Sequence, residues 1–126
     1  MVEMAPAARV RNLLVSADCG GKSLVRVDVH SERDPDYKRL FDIQSATKLA
    51  RCFLGAIPST EVTADDGTVF VLRREPHKQG ADAEDDIWKL SIREDSRHTL
   101  RATFNINQAT ALGWAFRAAV VSAMEG

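Results

Sequence analysis

The sequence has no long apolar run and only two cysteines. No stretch approaches the ~20 apolar residues of a membrane-spanning helix, and the first residues, Met-Val-Glu-Met, lack the basic start and apolar run of a signal peptide. We therefore expect no membrane association and a cytoplasmic location. Cys19 and Cys52 are too few for a disulfide framework, and Cys52 is predicted to be a small core residue of a helix.

The patterns that mark catalytic, nucleotide and metal sites are also missing. Residues 21–23, Gly-Lys-Ser, resemble the end of a phosphate-binding loop, but position 16, which needs a glycine, holds a serine. The histidines have no cysteine or histidine at the spacing of zinc ligands. The acids of residues 82–86 lack the ordered spacing and glycine of a calcium loop. We therefore expect a non-enzymatic protein with no catalytic residue, metal or cofactor.

What the sequence does contain is a repeated segment. Residues 41–53 match residues 104–116 without a gap, at an offset of 63 residues. The identical positions include Phe41 with Phe104, Ile43 with Ile106, Leu49 with Leu112 and Phe53 with Phe116. Chance similarity is the alternative, because segments that pass from strand to helix share alternation and small residues. We favour internal duplication, and a repeat of this kind constrains the whole architecture.

Both halves predict the same order of elements, β-β-β-α. Strand-forming segments at 8–16, 23–30 and 37–43 precede a helix that Ser45 caps and that ends near residue 57. The corresponding segments of the second half are 68–74, 86–93 and 99–106, and a helix over 108–124 follows with Asn107 as its cap. A chain of 126 residues is too short for two ordinary domains, so the halves should share one core.

These elements predict a single α+β domain over residues 1–126. It would consist of two β-β-β-α repeats, at about 8–57 and 68–124, joined by a linker at 58–67. We expect the repeats to pack about an approximate two-fold axis, with an antiparallel sheet and both helices on one face of it.

Strand alternation predicts a basic face opposite the helices. Successive side chains of a strand point to opposite sides of a sheet, and alternation directs Trp88, Leu90 and Leu100 toward the core. The other side carries five candidate phosphate contacts: Arg26, Lys38, Lys89, Arg93 and Arg101. Arg73 and Arg74 are expected to add to this face. Most acids fall in predicted loops, so the strand face can be basic although the net charge of the chain is −1. The alternative is an ordinary solvated face of an antiparallel sheet.

Two features carry a family resemblance. One is the duplicated order of strands before one helix. The other is a strand that runs straight into a helix at residues 101–112, Arg-Ala-Thr-Phe-Asn-Ile-Asn-Gln-Ala-Thr-Ala-Leu. The chain resembles the PUR-alpha and Whirly group of single-stranded nucleic-acid-binding proteins. The resemblance implies a curved basic strand surface with aromatic residues that stack on bases, helices behind it, and often a dimer. The chain departs from this pattern because only Phe70 and Tyr37 are aromatic candidates for that surface, and alternation directs Tyr37 toward the core.

The second predicted helix is apolar on nearly all sides. Residues at helical spacing, among them Ala109, Phe116 and Val120, should face the sheet. Trp114 and Val121 lie off that stripe, so either the first helix covers them or they form an interface. We favour a homodimer with Trp114, Arg117 and Val121 at its interface, because aromatic residues are enriched at interface hot spots.

The sequence therefore predicts a non-enzymatic protein that binds single-stranded DNA or RNA across its basic strand face. The alternative is a protein-binding module, such as a small immunity, chaperone or adaptor protein, that acts through acidic loops or an apolar helix surface. The two functions differ in one measurable property, because nucleic-acid binding through phosphates weakens steeply with salt.

Overall fold

The computed structural model describes residues 8–18, 24–31, 37–75, 86–94 and 99–125. The strands of these residues are β1 (Ala8–Asp18), β2 (Leu24–Ser31), β3 (Tyr37–Asp42), β4 (Ser59–Thr63), β5 (Val69–Glu75), β6 (Ile87–Arg93) and β7 (Thr99–Phe104), and the helices are α1 (Ile43–Phe53) and α2 (Ile106–Glu125).

The strands form two antiparallel sheets that meet at a short junction. The first sheet contains β3, β2 and β1, and the second contains β7, β6, β5 and β4. Parallel pairing of Ala8 with Leu100 and of Arg9 with Arg101 joins β1 to β7, so the full strand order is β3-β2-β1-β7-β6-β5-β4. The predicted α+β class, with antiparallel strands, is confirmed.

The segment predicted as a linker contains a strand. Ser59–Thr63 form β4, which pairs with β5 through a tight turn. The sequence carried this signal, since Thr60, Val62 and Thr63 are β-branched and Asp66-Gly67 is a turn-forming pair. Gly67 adopts a φ of 93°, a conformation that suits glycine.

The two sets of three matching strands follow one another head to tail. At the junction, β1 meets β7, the counterpart of β3. The helices keep the offset of the repeat, because α1 begins at Ile43 and α2 at Ile106. The duplication and the two-fold axis stay predictions.

Each helix is capped by the residue immediately before it, Asp42 for α1 and Asn105 for α2. The backbone N–H of Ser45 donates to Oδ1 of Asp42 at 2.7 Å. At α2 the bonds are reciprocal, since Gln108 N donates to Asn105 Oδ1 at 2.9 Å and Asn105 N donates to Gln108 Oε1 at 3.0 Å. The predicted caps, Ser45 and Asn107, lie inside the helices instead.

Both helices pack on the same face of the sheet and cover the core. The strands bury Val25, Val27, Val29, Phe41, Phe70, Leu72, Trp88, Leu90, Ile92 and Leu100, and the helices bury Leu49, Phe53, Ala109, Phe116 and Val120. The helices also meet each other closely at Gly113, where an added Cβ would lie 2.6 Å from Cγ of Leu54. On that side, α1 therefore covers α2.

The sheet curves until its distant strands touch. Phe41 of β3 meets Phe70 of β5 edge to face, with 4.8 Å between ring centroids. In the turn between β4 and β5, the backbone N–H of Asp65 donates to the carbonyl oxygen of Leu40 at 2.9 Å. The sheet is therefore curled around its core-facing side.

An ion-pair cluster holds this closure. Arg39, on the core side of β3, is only 9% exposed. Its guanidinium lies 3.3 Å from the carboxylate of Asp66 in the β4–β5 turn and 3.6 Å from that of Glu94, which follows β6. A charge at this depth needs such partners to offset its desolvation.

Candidate functional site

A depression of about 360 Å³ lies on the outward face of β5, β6 and β7. Its lining is polar for the most part: Arg73, Glu75, Lys89, Ser91, Arg101 and Thr103, with Val71, Leu90 and Ala102 below. We call this feature the basic depression. Strand alternation produces it, because every second residue of each strand points away from the helices.

The strand register brings the cations of the basic depression together. Arg73 of β5 lies directly opposite Lys89 of β6, and Arg101 of β7 lies opposite Ser91, the residue midway between Lys89 and Arg93. Arg101 is thus a diagonal neighbour of both Lys89 and Arg93, at about 7–8 Å. Three positive side chains from three strands therefore line the basic depression, and Arg93 lies next to it on β6.

One carboxylate lies within this surface. Oε2 of Glu75 is 3.0 Å from Nζ of Lys89, and Oε1 is 3.8 Å from Nε of Arg73. Arg93 and Arg101 are exposed and form no ion pair within the part of the chain that the structure describes. The lining of the basic depression keeps an excess of positive charge, with three cations against one acid.

The two remaining predicted contacts, Arg26 and Lys38, lie elsewhere, on β2 and β3. Nε of Arg26 is 3.0 Å from Oδ1 and 3.1 Å from Oδ2 of Asp28. Lys38 faces the same Asp28 across the strand pair. In the predicted repeat, Ser91 occupies the position equivalent to Asp28, which is why only the second half is strongly basic.

Two other sequence expectations about this face are wrong. Phe70, expected as a stacking aromatic, is buried on the core side. Arg74 also lies on the core side, where its Nε donates to Oδ2 of Asp86 at 2.8 Å and its guanidinium lies 5.7 Å from the Trp88 ring centroid. The side chain of Tyr37 lies outside the part of the chain that the structure describes.

Glu75 and Arg39 are the informative residues that sequence reasoning missed. Glu75 ends β5 and shares the outward direction of Arg73, a spacing that alternation could have revealed. Arg39 alternates with Phe41 on the core side of β3, and only its partners Asp66 and Glu94, distant in sequence, explain its burial.

The predicted interface residues of α2 lie on its exposed side. Trp114 is 54% exposed, Val121 and Met124 are exposed with it, and the guanidinium of Arg117 lies 5.1 Å from the Trp114 ring centroid. We call these four residues the α2 surface. Beside it runs an apolar groove of about 400 Å³ between the helices, lined in part by Leu54, Val120 and Val121.

The acidic loop expected at residues 82–86 is described only at its end. Asp86 is buried against Arg74 and does not belong to a solvated tip. Residues 82–85 and Cys19 lie outside the described residues. Within residues 8–18, 24–31, 37–75, 86–94 and 99–125, no group of three or more His, Cys, Asp or Glu side chains is placed to hold a metal ion.

The basic depression is suited to anions. Guanidinium and ammonium groups bind phosphate oxygens through charge-assisted hydrogen bonds, and the hydroxyls of Ser91 and Thr103 are further donors. Neither described helix combines the length and apolarity needed to cross a membrane. No protein-family model, curated protein or solved structure matches the chain.

Proposed function

We propose that this protein binds single-stranded nucleic acid through phosphate contacts in the basic depression. The observation that carries the proposal is the convergence of Arg73, Lys89 and Arg101 in one depression of three strands, with Arg93 next to it on β6. This narrows the sequence-based proposal, because Arg26 and Lys38 lie around Asp28 on the other half of the sheet. The resemblance to the PUR-alpha and Whirly group supports the same ligand class.

The dimensions of the basic depression suit the backbone of one strand. Three neighbouring strands span about 10 Å, and the five residues from Lys89 to Arg93 span about 13 Å. Such a surface contacts about three phosphates. Each contact to a single strand contributes about −0.7 to the slope of log K against log salt. We expect a slope near −2, or a loss of roughly fifteenfold between 50 and 200 mM salt.

Binding of this kind is insensitive to base sequence. Stacking on an aromatic side chain contributes about 1–3 kcal/mol per base, and the described outward residues of β5, β6 and β7 include no aromatic side chain. Phosphate contacts carry no base information of their own. We therefore expect similar affinities for oligonucleotides of different composition.

Fluorescence anisotropy with labelled dT15 and a duplex of the same length, each at 50 and 200 mM salt, tests the proposal. Arg101→Gln should weaken dT15 binding about fivefold and make the salt slope shallower by about 0.7. Arg26→Gln is the matched control, because it removes the same group from the same sheet outside the basic depression. Absence of binding at 50 mM salt, or equal effects of the two variants, would overturn the proposal.

A second candidate function, association with a protein, is favoured by the α2 surface. Monomeric soluble proteins seldom leave Trp, Val and Met exposed side by side on one helix. The form of this candidate that we propose is the homodimer, with Trp114, Arg117 and Val121 at the interface. Multi-angle light scattering should give twice the chain mass for the wild type and the chain mass for Trp114→Glu. A monomeric wild type at 100 µM would remove this candidate.

A further inference from the structure

Two cations of the basic depression are held close together in the folded sheet. Arg73 and Lys89 form a directly opposed pair, in which Cβ atoms lie about 4.5–5.5 Å apart and like charges are destabilising. Glu75 contacts both, at 3.8 Å from Nε of Arg73 and 3.0 Å from Nζ of Lys89. An anion between these cations offsets their repulsion, and Glu75 supplies it in the free protein.

We propose that the carboxylate of Glu75 occupies the position of one phosphate of the bound nucleic acid, so that the ligand displaces Glu75 from Lys89 and Arg73. This inference rests on the proposed function and identifies an internal competitor in the same site. Carboxylate and phosphate accept the same hydrogen bonds from guanidinium and ammonium groups, so one can replace the other.

The exposure of the three side chains permits the exchange. The side chain of Glu75 is 34% exposed, and Arg73 and Lys89 are more exposed still. Glu75 can therefore rotate into solvent without opening the core. An exposed ion pair contributes only about 0.2–1 kcal/mol, and a backbone phosphate carries one negative charge, like the carboxylate that it replaces.

Arg101 and the neighbouring Arg93 are the residues that the ligand can contact first. Arg93 and Arg101 form no ion pair within the described residues, so a nucleic-acid strand can contact them without displacing any side chain. Once two phosphates are held there, the next phosphate along the strand has a high effective concentration beside Lys89. Glu75 then competes with a tethered phosphate and loses its position.

Glu75→Gln tests this inference, because it keeps the shape of the side chain and removes the charge. The variant should bind labelled dT15 about two- to fivefold more tightly at 50 mM salt. Its salt slope should stay close to that of the wild type, since in both complexes the same cations contact phosphates. Asp28→Asn is the matched control, because Asp28 is an acid paired with Arg26 on the same sheet but outside the basic depression.

The outcomes separate this inference from the proposed function. A gain in Glu75→Gln alone supports the inference. Equal gains in Glu75→Gln and Asp28→Asn would show an effect of net charge and overturn it. Wild-type binding with no gain in Glu75→Gln overturns the inference and leaves the proposed function standing. If neither the wild type nor Glu75→Gln binds dT15 while both melt cooperatively, both proposals fail.

Discussion

Asp42 and Asn105, 63 residues apart, cap the two helices with the same side-chain oxygen, Oδ1. Both α1 and α2 lack an acidic residue in the first turn, so these caps are the main interactions that satisfy the first backbone N–H groups. Their equivalence in the predicted repeat extends the match between the halves from core residues to the residues that begin each helix.

Asn105→Ala should lower the free energy of unfolding by about 1 kcal/mol, because it removes the acceptor for the N–H of Gln108. Urea unfolding followed by circular dichroism measures the change. Asn107 lies two residues later and is exposed, so Asn107→Ala should change the free energy of unfolding by less than about 0.5 kcal/mol. Equal losses in the two variants would contradict the cap assignment.

Gly113→Ala should destabilise the protein although it raises helix propensity. The propensity gain is about 0.5–1 kcal/mol, whereas the new Cβ would lie 2.6 Å from Cγ of Leu54 and overpacking costs about 1–3 kcal/mol. Leu54→Ala in the same chain should relieve the clash, so the double variant should be more stable than the sum of the single changes predicts. A stabilised Gly113→Ala would refute the close contact of α1 and α2.

Asp66 should make stability depend on pH in the acid range. Partial burial raises the pKa of its carboxyl, but hydrogen bonds from Thr68 and the charge of Arg39 outweigh this, and the pKa lies below its ordinary value. The unfolded state therefore binds more protons, and the contribution of Asp66 is present above about pH 4 and is lost as pH falls through the folded-state pKa.

Asp66→Asn is the variant that measures this dependence. The Arg39 pair is partly exposed on the Asp66 side, so the expected loss at pH 7 is about 0.2–1 kcal/mol. The urea midpoints of wild type and variant should differ at pH 7 and should converge at pH 3. A constant difference over this range would show that the charge of Asp66 does not stabilise the fold.

Cys52 should be unreactive while the protein is folded. Burial raises the pKa of its thiol to about 11, although the charge of Arg74 lowers it in part. Because the thiolate is the reactive form, labelling of a Cys19→Ser variant by Ellman's reagent at pH 8 should proceed only at the rate of unfolding. Fast stoichiometric labelling without denaturant would contradict this burial.

The raised pKa also has a consequence for stability. An unfolded cysteine ionises near pH 8.5, whereas Cys52 stays protonated in the folded chain until about pH 11. The contribution of Cys52 to the free energy of unfolding is complete below the pKa of the unfolded state. It is lost as pH rises through the pKa of the folded state. Stability between pH 9 and pH 11 should thus fall more steeply in Cys19→Ser than in the same variant with Cys52→Ala.

Six of the seven strands and both helices follow from local patterns in the sequence. Alternation correctly assigned Trp88, Leu90 and Leu100 to the core, because a strand side chain can only point to one side or the other. The same rule missed β4, since its five residues lie between a helix and a turn and alternate only weakly. The expectation that Arg73 and Arg74 both face outward departed from this rule, which places Arg74 with Phe70 and Leu72 on the core side, where it contacts Trp88 and Asp86.

The sequence by itself determined which residues enter the core and which cations point outward, because both depend on periods of two and 3.6 residues along the chain. Only the tertiary structure decided which cations converge. Strand register set Arg73 opposite Lys89 and Arg101 beside Arg93, whereas Arg26 and Lys38 lie around Asp28. Ion pairs form between side chains that are close in space, and the pairing of β5 with β6 brings Glu75 and Lys89 close together.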